Sequence, residues 1–176
     1  FKADEIKAVI LTHAHIDHSG LMPLIYKKGF RGKIYATPPT FDFCALLWDD
    51  AYNLQENAFE EQHLPLLYAR EDVDEALNLF SPQPYYQEIG ISQNISFVFY
   101  NAGHILGSAI VLLKIKKNNG QETKILFSGD LGNSFNLLLP DTDIISEEAD
   151  YCLVESTYGD RIHEDADIRK DLLEDV

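Results

Sequence analysis

The stretch from Leu11 to Gly20 reads LTHAHIDHSG and places His13, His15, Asp17 and His18 within six positions. Imidazole nitrogen and carboxylate oxygen are the donors that suit zinc, manganese or iron. In an extended segment, side chains two apart share a side, so His13, His15 and Asp17 would fall together. His18 breaks that period and faces another way. One loop could then serve two neighbouring metal ions.

Three further polar residues stand at the ends of apolar runs. They are His104 in NAGHILGS, Asp130 in LFSGDLGN and Glu155 in CLVESTYG. Glycine lies close to the first two, which permits tight turns and close backbone approach. Taken singly, His104 reads as a hydrogen-bonded structural histidine, Asp130 as a turn residue and Glu155 as a satisfied carboxylate. Taken with the cluster they read as one site, because strand ends on one sheet edge are where α/β proteins gather functional groups.

The elements that must position these residues are legible in the hydrophobic pattern. IKAVIL (6–11) reads as a buried strand, LMPLIYKKG as a helix opened by Gly20, and GKIYAT as a second strand stopped by Pro38-Pro39. Phe41–Leu54 carries helical spacing, and REDVDEALNLF is a helix with acids in its first turn. From Tyr85 the period shortens. YYQEIGI, ISFVFYNAG, SAIVLLKIKK and ETKILFSGD read as strands, with Asn118-Asn119-Gly120 as a hairpin turn. YCLVEST is one more strand, expected to be buried. Interleaved helices and strands predict a layered α/β fold, and the central β block argues against a purely parallel sheet.

The 176 residues, 45% hydrophobic, suffice for one domain with a real core. No apolar run is long enough to cross a bilayer as a helix. A net charge of −15 argues against nucleic-acid binding by the surface as a whole, but not against a local site where bound cations reverse the sign. The acidic stretches DDAYNLQENAFEE and PDTDIISEEAD read as solvated surface, as do Lys27, Lys28, Arg31 and Lys33, and Lys114, Lys116, Lys117 and Lys124. Cys44 and Cys152 read as buried reduced thiols, which points to the cytoplasm or another reducing compartment.

THAHIDHSG resembles the H-x-H-x-D-H signature of the metallo-β-lactamase superfamily, and NAGHILGSA and FSGDLGN resemble its third and fourth motifs. VESTYGDR resembles the β-CASP branch, whose members act on nucleic acids. The resemblance implies an αββα sandwich, here incomplete. Residues 1–160 would form part of the metallo-β-lactamase domain, and 161–176 would begin a β-CASP-type domain. An early acidic motif is expected before Phe1, and two histidine motifs after the present C-terminus; His163 belongs to the entry of that second domain. By the resemblance His13, His15 and His104 would hold a first metal, Asp17 and His18 a second, and Asp130 would bridge them. Asp17, Asp130 and Glu155 would be the catalytic acids, with Glu155 orienting a histidine of the later domain.

The implied activity is cleavage of RNA phosphodiester bonds by a hydroxide shared between two zinc ions, with manganese or iron as other possible metals. RNA would be the partner, most of its grip coming from the later domain, and no membrane is involved. With one side of the second site missing, binding there should be weaker than at His13, His15 and His104. Hydrolysis of a small ester or thioester, and a non-catalytic scaffold, are the alternatives; VESTYGDR speaks against the first and the presence of every visible ligand against the second.

Overall fold

The computed structural model describes residues 1–133 and 138–160. Two sheets face each other. The first is all parallel, in the order β1 (Ala8–Ile10), β2 (Lys33–Ala36), β3 (Phe80–Pro82). The second runs β4 (Glu88–Gly90), β5 (Ile95–Asn101), β6 (Ala109–Lys116), β7 (Glu122–Phe127), β8 (Tyr151–Leu153). Its pairs are antiparallel except β7–β8, which is parallel. The Lys117–Gln121 turn closes the β6–β7 hairpin as its Asn-Asn-Gly sequence predicts, with Lys117 N–H donating to Gln121 O at 2.7 Å.

Helices α1 (Ile16–Ser19), α2 (Met22–Lys27), α3 (Pro38–Gln62) and α4 (Arg70–Leu77) precede the second sheet. α3 is longer than the pattern predicts. Pro38 and Pro39 do end β2, but they also open this helix, where a missing N–H costs nothing, and Thr37 caps it by accepting from Thr40 N–H. His63 closes it in the left-handed conformation, φ 57°. α4 is fixed at its start by Asp72, whose carboxylate accepts from Ala69 N–H at 2.8 Å.

One apolar cluster joins α2, α3 and α4 to the first sheet through Met22, Ile34, Cys44, fully buried Trp48, Val73 and Ala76. A second fills the space between the sheets with Tyr35, Phe97, Phe99 and Val111. The period of two along β5 and β6 sends Phe97, Phe99 and Val111 inward, and Val98, Leu112 and Lys114 to the far face. On that face Glu147 joins Lys114 at 3.0 Å and Lys124 at 2.7 Å; at the end of β5, Asp143 accepts from Asn101 N–H at 2.7 Å. The layers are therefore α, β, β; among the described residues no helix supplies the fourth layer of the αββα expectation.

Four expectations need correction. Phe80 belongs to β3, not to the preceding helix, because its ring packs on Trp48 and Phe41, with centroids 5.5 and 5.1 Å apart. β8 is exposed rather than buried: among the described residues it is an edge strand paired on one side only, and Cys152 on it is exposed too. Lys114 and Lys124 are ion-paired rather than merely solvated, as is Glu147 in the PDTDIISEEAD stretch. The histidine segment is extended only to His15, and then turns helical. Among the described residues no helix is long and apolar enough to cross a membrane.

Candidate metal centre

The site forms where loops from both sheets meet. After β1, Leu11 N–H still bonds to Tyr35 O at 2.8 Å, and Thr12 O accepts from Ala109 N–H at 2.8 Å at the start of β6. This stitches the first sheet to the second next to His13, which has no exposed surface. His15 is the residue before α1, so the chain bends there and separates Asp17 and His18 from His13 and His15. The period-of-two grouping of Asp17 with the first two histidines is thereby corrected. Two directions of donation from one loop remain.

Four donor groups converge. His15 Nδ1 lies 3.1 Å from both His13 Nε2 and His104 Nε2. Asp130 Oδ2 lies 3.6 Å from His13 Nε2 and 3.7 Å from His104 Nε2. All four ligand atoms fall within 4.8 Å of one another. A tetrahedral zinc with bonds of about 2.0–2.1 Å needs donors about 3.3 Å apart, so this N3O set fits a metal ion of that size. The other oxygen, Asp130 Oδ1, faces His18 Nε2 at 3.3 Å, and His18 Nε2 lies 3.6 Å from Asp17 Oδ2. This second group is more open, with the Asp17 side chain 75% exposed.

The electrostatics suit cation binding. Burial, helped by the neighbouring imidazoles, pushes His13 down to about 3. Burial also lowers His104, with Asp130 and Glu155 opposing the shift. Both rings are therefore neutral at pH 7, with lone pairs free to donate. His13 Nδ1 lies 3.1 Å from Thr12 Oγ1; a proton on Nδ1 makes that bond and leaves Nε2 as the donor toward the centre.

Buried hydroxyls hold the ligand loops. Ser19 Oγ donates to Ala14 O at 2.7 Å and accepts from Trp48 Nε1 at 3.2 Å, fixing the His13–His15 segment. Ser108 Oγ accepts from His104 N–H and Ile105 N–H at 3.1 and 3.2 Å. Thr37 and Thr40 donate to Gly107 O in the same loop. Ser128 Oγ accepts from Glu155 N–H at 3.0 Å. With His13, these five are the buried polar side chains among the described residues, so the interior's polar groups serve the site. The sequence offers no signal for them beyond their position near strand ends.

Glu155 does not join the donor cluster. Its carboxylate accepts from Leu131 N–H at 3.1 Å and Thr157 N–H at 2.9 Å, and these amides hold it below the usual carboxylate range, Thr157 foremost. His63 lies at the far end of α3, and His163 falls outside the described residues.

A model of the metallo-beta-lactamase superfamily domain matches residues 2–153. An RNase J-like protein of Methanocaldococcus jannaschii is 42% identical over 156 residues, covering 88% of this chain and 32% of its own length. Ribonuclease TTHA0252 of Thermus thermophilus is 37% identical over 163 residues, covering 93% and 34%. Transcription termination factor FttA of Cenarchaeum symbiosum is 35% identical over 156 residues, covering 89% and 23%. The chain thus spans about a third or less of the curated relatives it matches. A solved subclass B3 metallo-beta-lactamase from a soil metagenome overlaps 72% of this chain and 43% of its own at 14% identity, with a TM-score of 0.46, too loose a likeness to argue from.

Proposed function

The chain belongs to the metallo-beta-lactamase superfamily, and we propose that it is of the β-CASP branch and forms the metal-binding part of a hydrolase that cleaves RNA phosphodiester bonds. The observation that carries this reading is the position of Asp130, with one oxygen toward His13 and His104 and the other toward His18. That is the placement a carboxylate needs to join two cation sites. The ribonuclease names of two relatives supply the substrate class.

In this reading His13, His15 and His104 hold one ion, Asp17 and His18 a second, and Asp130 both. Zinc is the metal the donor set suits best, since three imidazoles and a carboxylate at this spacing match its tetrahedral preference. The chemistry bound divalent ions supply is neutralisation of phosphoryl charge and a water acidified toward neutral pH. The chain's own part is to present neutral imidazoles, to keep His13 dry, and to fix the Asp130 carboxylate between two groups. The bulk charge of −15 repels RNA, so attraction has to be local to the cations or come from residues beyond this site. Residues 161–176 are proposed to open a second domain that contributes that grip.

The test is cleavage of an end-labelled RNA by the full-length polypeptide with zinc or manganese, with Asp130→Ala alongside. Metal-dependent cleavage lost in the variant is expected. An Asp130→Ala protein that cleaves at the wild-type rate would refute the assignment.

A further inference from the structure

Asp130 lies between two residues tied to the segment that leaves β8. On one side, Ser128 N–H donates to Leu153 O at 2.9 Å and Ser128 Oγ accepts from Glu155 N–H at 3.0 Å. On the other, Leu131 N–H donates to Glu155 Oε1 at 3.1 Å. The second oxygen, Oε2, accepts from Thr157 N–H at 2.9 Å, which folds the chain back on itself just after β8. One carboxylate therefore grips the loop of Asp130 and its own exit turn together.

We infer that Glu155 is a positioning residue for Asp130, setting through Leu131 where the Asp130 carboxylate lies relative to His13, His104 and His18. This is a different task from orienting a histidine of a later domain, and it needs nothing outside the described residues. It rests on Asp130 being a metal ligand as proposed above. The physical argument is one of leverage. Asp130 has one peptide bond to Leu131, so loss of the Leu131 anchor lets its carboxylate swing. Donors about 3.3 Å apart tolerate little such movement. Groups that orient a metal ligand typically change metal affinity 10–100-fold when removed.

The geometry allows the two grips to be separated. A carboxylate one methylene shorter still reaches an amide two residues on, as aspartate does in turns, but cannot also reach Leu131. Glutamine keeps the length and one acceptor oxygen, while losing the charge.

The experiment is titration of the full chain with cobalt(II), followed by its visible absorption, alongside thermal unfolding without metal. Glu155→Ala and Glu155→Asp should both bind cobalt about 10–100-fold more weakly, with altered spectra. Glu155→Gln should recover most of the affinity. Asp150→Ala removes a comparable clasp elsewhere, the Asp150 carboxylate on Lys124 N–H at 2.8 Å. It should leave cobalt binding unchanged even if it melts earlier. Wild-type cobalt affinity in Glu155→Asp, or a Glu155→Gln variant as weak as Glu155→Ala, would overturn the inference. Should Glu155→Ala fail to fold, those two variants decide. Wild-type binding by Asp130→Asn would instead refute the ligand reading beneath it.

Discussion

Gly132 lies against Gly103 so closely that a Cβ on Gly132 would sit 1.8 Å from the Gly103 carbonyl oxygen. The neighbouring bond, Gly132 N–H to Ala102 O at 2.8 Å, locks the Asp130 loop onto the His104 loop. On the side of His13, a Cβ on Gly129 would sit 2.9 Å from Thr12 Cβ. The Asp130 loop thus meets the backbone of the His104 loop on one side and the Thr12 side chain on the other.

Gly132→Ala should therefore act on stability and on the site together. The obstructing atom is backbone and cannot rotate away, so a loss of about 1–3 kcal/mol is expected, as for overpacked positions. Urea unfolding in EDTA would measure it. Zinc affinity should fall in the same variant; an unchanged affinity would mean the loops move as a unit.

Ser108→Ala leaves the amides of His104 and Ile105 without their acceptor. Unsatisfied buried groups cost about 1–3 kcal/mol each, so the variant should unfold at clearly lower urea. Because His104 moves with its amide, zinc should rescue less of the lost stability than in the wild type. Paired melts with and without zinc would show it.

Zinc itself should stabilise the chain. At a hundredfold excess over the dissociation constant the gain is about 2.7 kcal/mol, and EDTA should reverse it. Asp130→Ala should lose most of that gain, and His63→Ala none of it. Equal stabilisation of all three would place the zinc elsewhere.

Thiol reactivity should split in two. Burial pushes the Cys44 thiol up to about 12, whereas Cys152 is exposed on β8. Ellman's reagent at pH 8 should titrate one thiol quickly and the second only on unfolding. Cys152→Ser should abolish the fast phase.

Acid should weaken the tie across the outer sheet face. The Lys124 and then the Lys114 ammonium hold the Glu147 carboxyl below its usual 4.5. The folded value being depressed, the contribution is present above about 4.5 and is lost as pH falls through the lowered value. Glu147→Gln should cost at most about 1 kcal/mol at pH 7, since the groups are partly exposed. The difference from wild type should shrink progressively as the pH falls below 4.5.

The strands and the residues of the candidate site were legible in the sequence for separate reasons. β5, β6 and β7 announce themselves by β-branched and aromatic residues at alternating positions. His104 and Asp130 stand out because glycines mark the turns that expose them. The end of α4 was not legible, because Leu79 and Phe80 extend the helical pattern and only packing on Trp48 and Phe41 draws Phe80 into β3. β8 misleads in the opposite way, an apolar run lying on an edge. The roles of Ser19, Ser108 and Ser128 depend on partners such as Trp48 and Glu155, 29 and 27 positions away, which the fold alone brings near.

His15 and His104 are 89 positions apart in the chain and 3.1 Å apart in space. Closing so long a loop costs entropy before any contact rewards it, and such pairings form late. Three of the four converging donors exist together only once synthesis has passed His104. A metal ion would thus arrive as the last part of assembly, and its uptake would serve as a clock for the meeting of the two sheets.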